Sequence, residues 1–266
     1  MTKRFIETSF RLLLVASAIT LIVPLGEGTA VEDGMVLYLS FDEEGDPTDA
    51  SDNPTDVTVH GTLNKADDQF GGHAIEFDGD SANFIEVAHA SKLVGMEALT
   101  ITAWAMTTNA DALARGIISK RVGFNNADVY QVFSWNDVKM YARVNAQNSE
   151  QTQMVSQTVL ESDVWYHFVI IFDGNAPEAE RGKMYVNGTL EGMFSHPHQA
   201  VGDSDSPVWI GTLNGGYAQT WLGSIDELKV FARALSQDDI LQLMDGPTPV
   251  KPRGKLATTW VRLKRP

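Results

Sequence analysis

Cysteine is absent from the 266 residues. That excludes disulfides, zinc–thiolate sites, iron–sulfur clusters, cysteine nucleophiles and lipidated-cysteine anchors. Positive charge is scarce: 20 Lys and Arg stand against 35 Asp and Glu, a net −15, and a surface of that sign repels the phosphates of nucleic acid. Long apolar runs are also missing. The best of them, Leu12 to Leu25, has 14 residues, short of the ~20 that a bilayer span requires. No Gly-x-Ser-x-Gly, His-Glu-x-x-His or phosphate-cradling loop occurs, so the commonest esterase, zinc-protease and nucleotide chemistries have no motif to rest on.

The charge is unevenly spread. Residues 31–246 hold 11 basic and 33 acidic residues, a net −22, whereas 247–266 hold six basic residues and no acid. Lys3, Arg4 and Arg11 lead into the apolar run, and Gly28-Thr29-Ala30 puts small residues where a signal peptidase cuts. Residues 1–30 are therefore expected to be a secretory signal cleaved after Ala30, the alternative being an uncleaved anchor. The mature protein is expected outside the cytoplasm, at the cell surface, in the medium or in a periplasm, with no stable membrane span once the signal is gone. Without disulfides it relies on its core and on any bound ion.

The body reads as strands. Val138, Met140, Ala142 and Val144 alternate with Lys139, Tyr141, Arg143 and Asn145, the period of a half-buried strand. VLYLSF (36–41), LTITAWA (99–105) and WYHFVIIF (165–172) are apolar on both faces, as in strands covered on both sides. Asn187-Gly188 between two such runs predicts a hairpin with a type I′ turn. One helix is predicted over Ser236 to Met244, with Ser236 as N-cap and Ile240, Leu241 and Met244 as its apolar side. Many short strands and one helix predict an all-β fold, a two-sheet antiparallel β-sandwich with one short C-terminal helix, in a single domain over 34–246. Residues 247–266, opened by Gly246-Pro247-Thr248-Pro249, read as a linker and basic tail.

Six stretches, in order, resemble the laminin-G-like, concanavalin A-like lectin/glucanase family of jelly-roll domains: AIEFDGDSANFIEV (74–87), LTITAWA, IISKR (117–121), WYHFVIIFDG (165–174), KMYVNGTLEG (183–192) and VWIGTLNGGYAQTWLGSIDELKVFARALSQDDI (208–240). The resemblance implies two antiparallel sheets face to face and ligands, glycans or proteins, at the face or rim of one of them. It also implies a structural Ca2+ between an Asp on the last strand and carbonyls in an early turn and near the N-terminus. Asp226 matches the last-strand position, Asp78 and Gly79 the early turn, and Asp42 lies on the first strand. Hard oxygen donors of this kind suit Ca2+. The large apolar motif residues, Trp104, Phe168, Phe172, Ile225, Leu228, Val230 and Phe231 among them, read as core.

Two groups of residues suit a sugar, whose apolar ring face wants an aromatic platform and whose hydroxyls want planar polar partners. Trp135, Asn136, Tyr141, Arg143 and Asn145 belong to one hairpin. Asn214, Tyr217, Gln219 and Trp221 belong to a loop expected at one end of the sandwich. His196-Pro197-His198 has no third ligand in register and reads as a surface turn. The glucanase branch of the family works with Glu-x-Asp-x-x-Glu on one strand, and that pattern is absent; paired carboxylates are what glycoside hydrolysis needs. The expected function is thus an exported, non-catalytic module that binds carbohydrate. Recognition of an extracellular protein, and after it a divergent hydrolase or lyase, are the alternatives.

Overall fold

The structure is a computed structural model that describes residues 31–122, 126–146 and 153–246. The expected signal segment and the basic tail lie outside the described residues. In chain order the strands are β1 (Met35–Leu39), β2 (Val57–His60), β3 (Asn64–Asp67), β4 (His73–Asp78), β5 (Phe84–Val87), β6 (Ala98–Thr107), β7 (Arg115–Val122), β8 (Asn126–Trp135), β9 (Lys139–Ala146) and β10 (Gln153–Val159). They continue with β11 (Trp165–Asp173), β12 (Gly182–Val186), β13 (Thr189–Phe194), β14 (Val208–Ile210) and β15 (Leu222–Phe231), and helix α1 (Gln237–Met244) follows. Two antiparallel sheets result. One runs β13-β12-β11-β6-β15-β4-β3, with β1 also on β15; the other runs β10-β9-β8-β7-β14-β5-β2.

The strands that are apolar on both faces are the ones buried on both faces. In β6, β11 and β15, Ile101, Ala103, Ile170, Ile225, Leu228 and Val230 pack between the sheets. Their alternates Val169, Ile171 and Phe231 pack on the outer side against α1. Ser236 caps α1 as expected, with a reciprocal box to Asp239. The helix buries Ile240 and Leu243, while Leu241 is exposed. The apolar side is therefore rotated from the one read in the sequence, because the i, i+3 pair facing the sheet sets the helix phase. At the β12–β13 turn, Asn187 (φ 48°) and Gly188 (φ 72°) are both left-handed, as a type I′ turn demands.

Strand β15 changes neighbour halfway along. Leu222 to Ile225 pair with Asp78 to Ile75 of β4, and Leu228 to Phe231 pair with β1. Between the halves the register slips against β6, and Glu227 takes φ 49°, so the strand bulges at the seam. Asp226 sits there.

Trp221, expected to meet a ligand, is instead core. It is 1% exposed, packs with the residues between the sheets, and its indole nitrogen donates to the Met106 carbonyl at 3.1 Å. An indole with its one donor satisfied inside the protein has nothing left to offer a sugar. Trp221→Ala is expected to destabilise the fold by roughly 3–5 kcal/mol in chemical denaturation, the usual range for emptying an aromatic core position; a loss under ~1 kcal/mol would contradict the core assignment.

Candidate functional site

The outer face of the seven-stranded sheet carries the first candidate. Register across the β8–β9 hairpin places Gln131 opposite Arg143, Phe133 opposite Tyr141 and Trp135 opposite Lys139. Ser119 of β7 continues the Gln131 row. A polar row (Arg143, Gln131, Ser119) therefore lies beside an aromatic row (Tyr141, Phe133), with Trp135 at the edge. Phe133 and Tyr141 stack at 5.6 Å, and Trp135 meets Tyr141 edge-on at 5.7 Å. Arg143 donates from Nε and Nη2 to Gln153 Oε1, at 2.9 and 2.7 Å, and its guanidinium lies 5.2 Å from the Phe133 ring centre. The two contacts hold the planar fork in one orientation.

Next to these rows, Gly116 lets the loop after β14 approach closely. A Cβ there would fall 2.4 Å from the Leu213 nitrogen, and the Gly116 amide donates to the Gln219 carbonyl. The loop thus brings Leu213 and Gln219 over the sheet, and with Ala114 and Arg121 they complete a cleft of about 250 Å3 over Gln131, Phe133, Trp135 and Arg143. Trp135 remains 38% exposed at its rim, whereas Tyr141 is only 7% exposed. The Tyr141 hydroxyl donates to Asp137 Oδ1 at 2.8 Å, and burial, reinforced by that carboxylate, pushes its pKa up to about 12.

The structure joins two groups that the sequence kept apart. Trp135, Arg143 and Gln219 share the cleft, and Tyr141 supports its aromatic wall. Asn136 instead forms the left-handed corner of the hairpin turn (φ 46°) and donates its amide to Ala112. Asn145 is a clamp: Nδ2 donates to the Ala200 carbonyl at 2.6 Å and Oδ1 accepts from the Gly202 amide at 2.5 Å. Asn214 is buried, while Tyr217 is 57% exposed on the loop tip; neither lines the cleft. Arg121, Gln131 and Phe133 were not marked from the sequence. Hairpin register was the available signal, since Gln131, Phe133 and Trp135 alternate on one strand opposite Arg143, Tyr141 and Lys139. His196 is buried, not a surface turn; burial lowers its pKa, and its Nε2 donates to the Val144 carbonyl at 2.7 Å.

The second candidate lies at the β15 seam. Asp226 is 1% exposed and neither carboxylate oxygen has a hydrogen-bond partner. Burial first, then the charges of Glu227, Asp68 and Asp42, push its pKa up to about 8. Two loops converge here. Asp42 Oδ1 accepts from the His73 amide at 2.8 Å, and Asp68 Oδ1 accepts from the amides of residues 70–72. Gly72 sits between the two carboxylates, where a Cβ would fall 2.2 Å from Asp42 Oδ1 and 3.0 Å from Asp68 Oδ2. Carboxylate oxygens are the donors that a hard cation prefers. Among the described residues no three acidic or histidine side chains stand in a ligating arrangement.

Asp78 and Gly79 do not belong to this seam. Asp78 pairs with Leu222, four residues from Asp226 along β15, about 13 Å away at ~3.3 Å per residue. Its carboxylate is engaged by the Asp80 amide and Asn83, and the Gly79 carbonyl by Thr220. The early turn that the resemblance implies at Asp78 and Gly79 thus lies away from Asp226, whose carboxyl instead feels the charges of Asp68 and Asp42.

The family profile described as the concanavalin A-like lectin/glucanases superfamily matches residues 78–241. The chain belongs to this superfamily. No curated protein matches it. Among solved structures, the binding domain of Paraclostridial Mosquitocidal Protein 1 superposes with a TM-score of 0.64 at 16% identity, over 81% of this chain and 52% of that one. The ligand binding domain of botulinum neurotoxin serotype D, solved with N-acetylneuraminic acid, gives 0.64 at 14% identity, over 81% and 51%. The binding domain of botulinum neurotoxin DC, solved with rat synaptotagmin II, gives 0.61 at 14% identity, over 81% and 52%. The chain spans about half of each, and the likeness is one of fold. No described helix is long and apolar enough to cross a membrane.

The raised Asp226 carboxyl has a defined pH signature. Its pKa is 3.8 when unperturbed and about 8 here, so the folded chain holds a proton that the unfolded chain has lost. Asp226 therefore takes nothing from stability below about pH 4 and opposes folding increasingly as pH rises towards 8. In a chelator, Asp226→Asn is expected to raise the melting temperature at pH 8 and to leave it unchanged at pH 4. Equal shifts at both pH values would show that the charge is not responsible.

Proposed function

We propose that this chain is an exported, non-catalytic binding module that recognises carbohydrate in the cleft on the outer face of its seven-stranded sheet. The observation that carries this reading is the pairing of aromatic and planar polar side chains in one cleft. Trp135, 38% exposed, offers a ring to the C–H face of a sugar, the buried Phe133 backs it, and Gln219 and Arg143 offer in-plane donors and acceptors to its hydroxyls. The solved neighbours are themselves binding domains, one carrying a sugar and one a protein. A sugar is preferred here because the cleft is small and combines aromatic rings with amide and guanidinium groups. Glu86, paired with His60 at 3.0 Å, lies on this sheet face beyond the cleft, and no described carboxylate lines the cleft to act as an acid or nucleophile.

A glycan array tests the reading. Binding better than about 1 mM is expected for at least one glycan class, and Trp135→Ala is expected to weaken it about tenfold. Binding that survives the substitution would move the site elsewhere, and an empty array would leave the protein-recognition alternative.

A structural Ca2+ at the seam is the second part of the proposal, supported by the two unpartnered oxygens of Asp226. Asp226, Asp42 and Asp68 would hold it, turning mutual repulsion into shared attraction. Added Ca2+ is expected to raise the melting temperature of the native chain, as for any ligand of the folded state alone, and to leave Asp226→Asn flat. A native chain indifferent to both Ca2+ and chelator would remove the ion.

A further inference from the structure

The end of β7, the start of β14 and the end of β5 are neighbours in the seven-stranded sheet, and a buried cation sits where they meet. Lys120 of β7 stands opposite Tyr130 and is 0% exposed. Its ammonium donates to the Ser206 carbonyl, just before β14, and lies 3.3 Å from Nδ1 of His89, just after β5. Among the described residues no carboxylate pairs with it directly. Burial lowers the Lys120 pKa to about 8, against the opposing pull of Asp203 and Asp205, so below that pH the group is an ammonium. An ammonium has only donors; Nδ1 must therefore accept, and a neutral His89 ring keeps its proton on Nε2. That nitrogen lies 3.8 Å from Asp205 Oδ1. Residues 203–206 have little else to hold them. Gly202 before them is fixed by Asn145, and β14 follows. Ser204 and Ser206 bond to each other within the loop, and its side-chain ties to the body are those to Lys120 and His89.

We propose that His89 is an acid-operated latch: neutral, it accepts from Lys120 and keeps loop 203–206 docked; protonated, it meets the ammonium donor to donor and releases the loop. A protonated ring carries N–H on both nitrogens and has no lone pair left for Lys120. Two positive charges then stand 3.3 Å apart on the buried side, where water screens them poorly. The attraction to Asp205 acts over 3.8 Å on a fully exposed carboxylate, where screening is strong, so repulsion outweighs it. Asp203 acts on the same ammonium from the loop. On the other side His89 lines a polar pocket of about 300 Å3 with Asp56 and Lys92, and Lys92 is paired with Asp49 at 3.1 Å. Protonation thus frees the loop and adds positive charge to this pocket in one step. Histidine is the side chain that changes charge in mild acid.

Backbone order parameters of residues 203–206, measured by NMR at about pH 7 and about pH 5, test the latch. In the native chain they are expected to fall from ~0.85 to below ~0.6 in acid. His89→Gln offers Lys120 an amide oxygen that takes no proton, and its loop is expected to stay ordered at both pH values. Lys120→Met removes the donor, and its loop is expected to be mobile at both. A native loop equally ordered at both pH values would overturn the latch. So would acid mobility that persists in His89→Gln, which would assign the effect to Asp203 and Asp205. Should His89→Gln melt well below the native chain, the native His89 ring protons decide: they are expected to titrate with the same midpoint as the loop amide shifts, and separate midpoints would overturn the proposal.

Discussion

Burial of the eight-stranded sheet on both faces is the constraint from which the rest follows. Its inner face meets the other sheet, and its outer face takes α1 through Ile240 and Leu243. Strands β6, β11 and β15 therefore carry apolar side chains on both sides, which is how a sandwich without a disulfide buries enough surface to hold together. The same arrangement assigns the functional faces. With that sheet covered, the outer face of the seven-stranded sheet remains for polar and aromatic side chains, and it is there that Gln131, Phe133 and Arg143 gather.

The covered face also has to accommodate charge. Lys229, 1% exposed, is paired with Glu227, and Tyr38 donates to Glu227 at 2.7 Å while the ammonium lies 4.3 Å from the Tyr38 ring centre. Each member of this group has a partner, which makes its burial tolerable. Asp226, one residue away, has none. A satisfied triad and an orphan carboxylate thus stand side by side on the same bulge.

Fold was legible in the sequence because its signals are local. Doubly apolar strands, the Asn187-Gly188 turn and the Ser236 cap each act over a few residues, and each formed the element it announces. The site was legible only in part because it depends on long-range pairing. Trp135 and Trp221 look alike in sequence, each beside a turn; the nearby Met106 carbonyl and the packing between the sheets make one of them core. Asp68 and Asp78 both sit in acidic turns, and only the register of β4 on β15 separates them. Gln131 and Phe133 lie on the strand before the hairpin turn, and only the pairing with Arg143 and Tyr141 reveals which way they face.

The position of β15 in the chain has a kinetic consequence. It is the last of the described strands, yet it lies between β6 and the pair formed by β4 and β1, and Leu37 of β1 finds its partner only at Val230. Loops of that span close slowly, and sheets built from them form late. The larger sheet therefore stays split, with the flanks of β1, β4 and β6 unpaired, until nearly the whole body has been synthesised. Truncation even shortly before Phe231 would leave those strand edges open to pairing with another copy of the chain, which makes this fold intolerant of C-terminal loss well beyond what the missing side chains alone would cost.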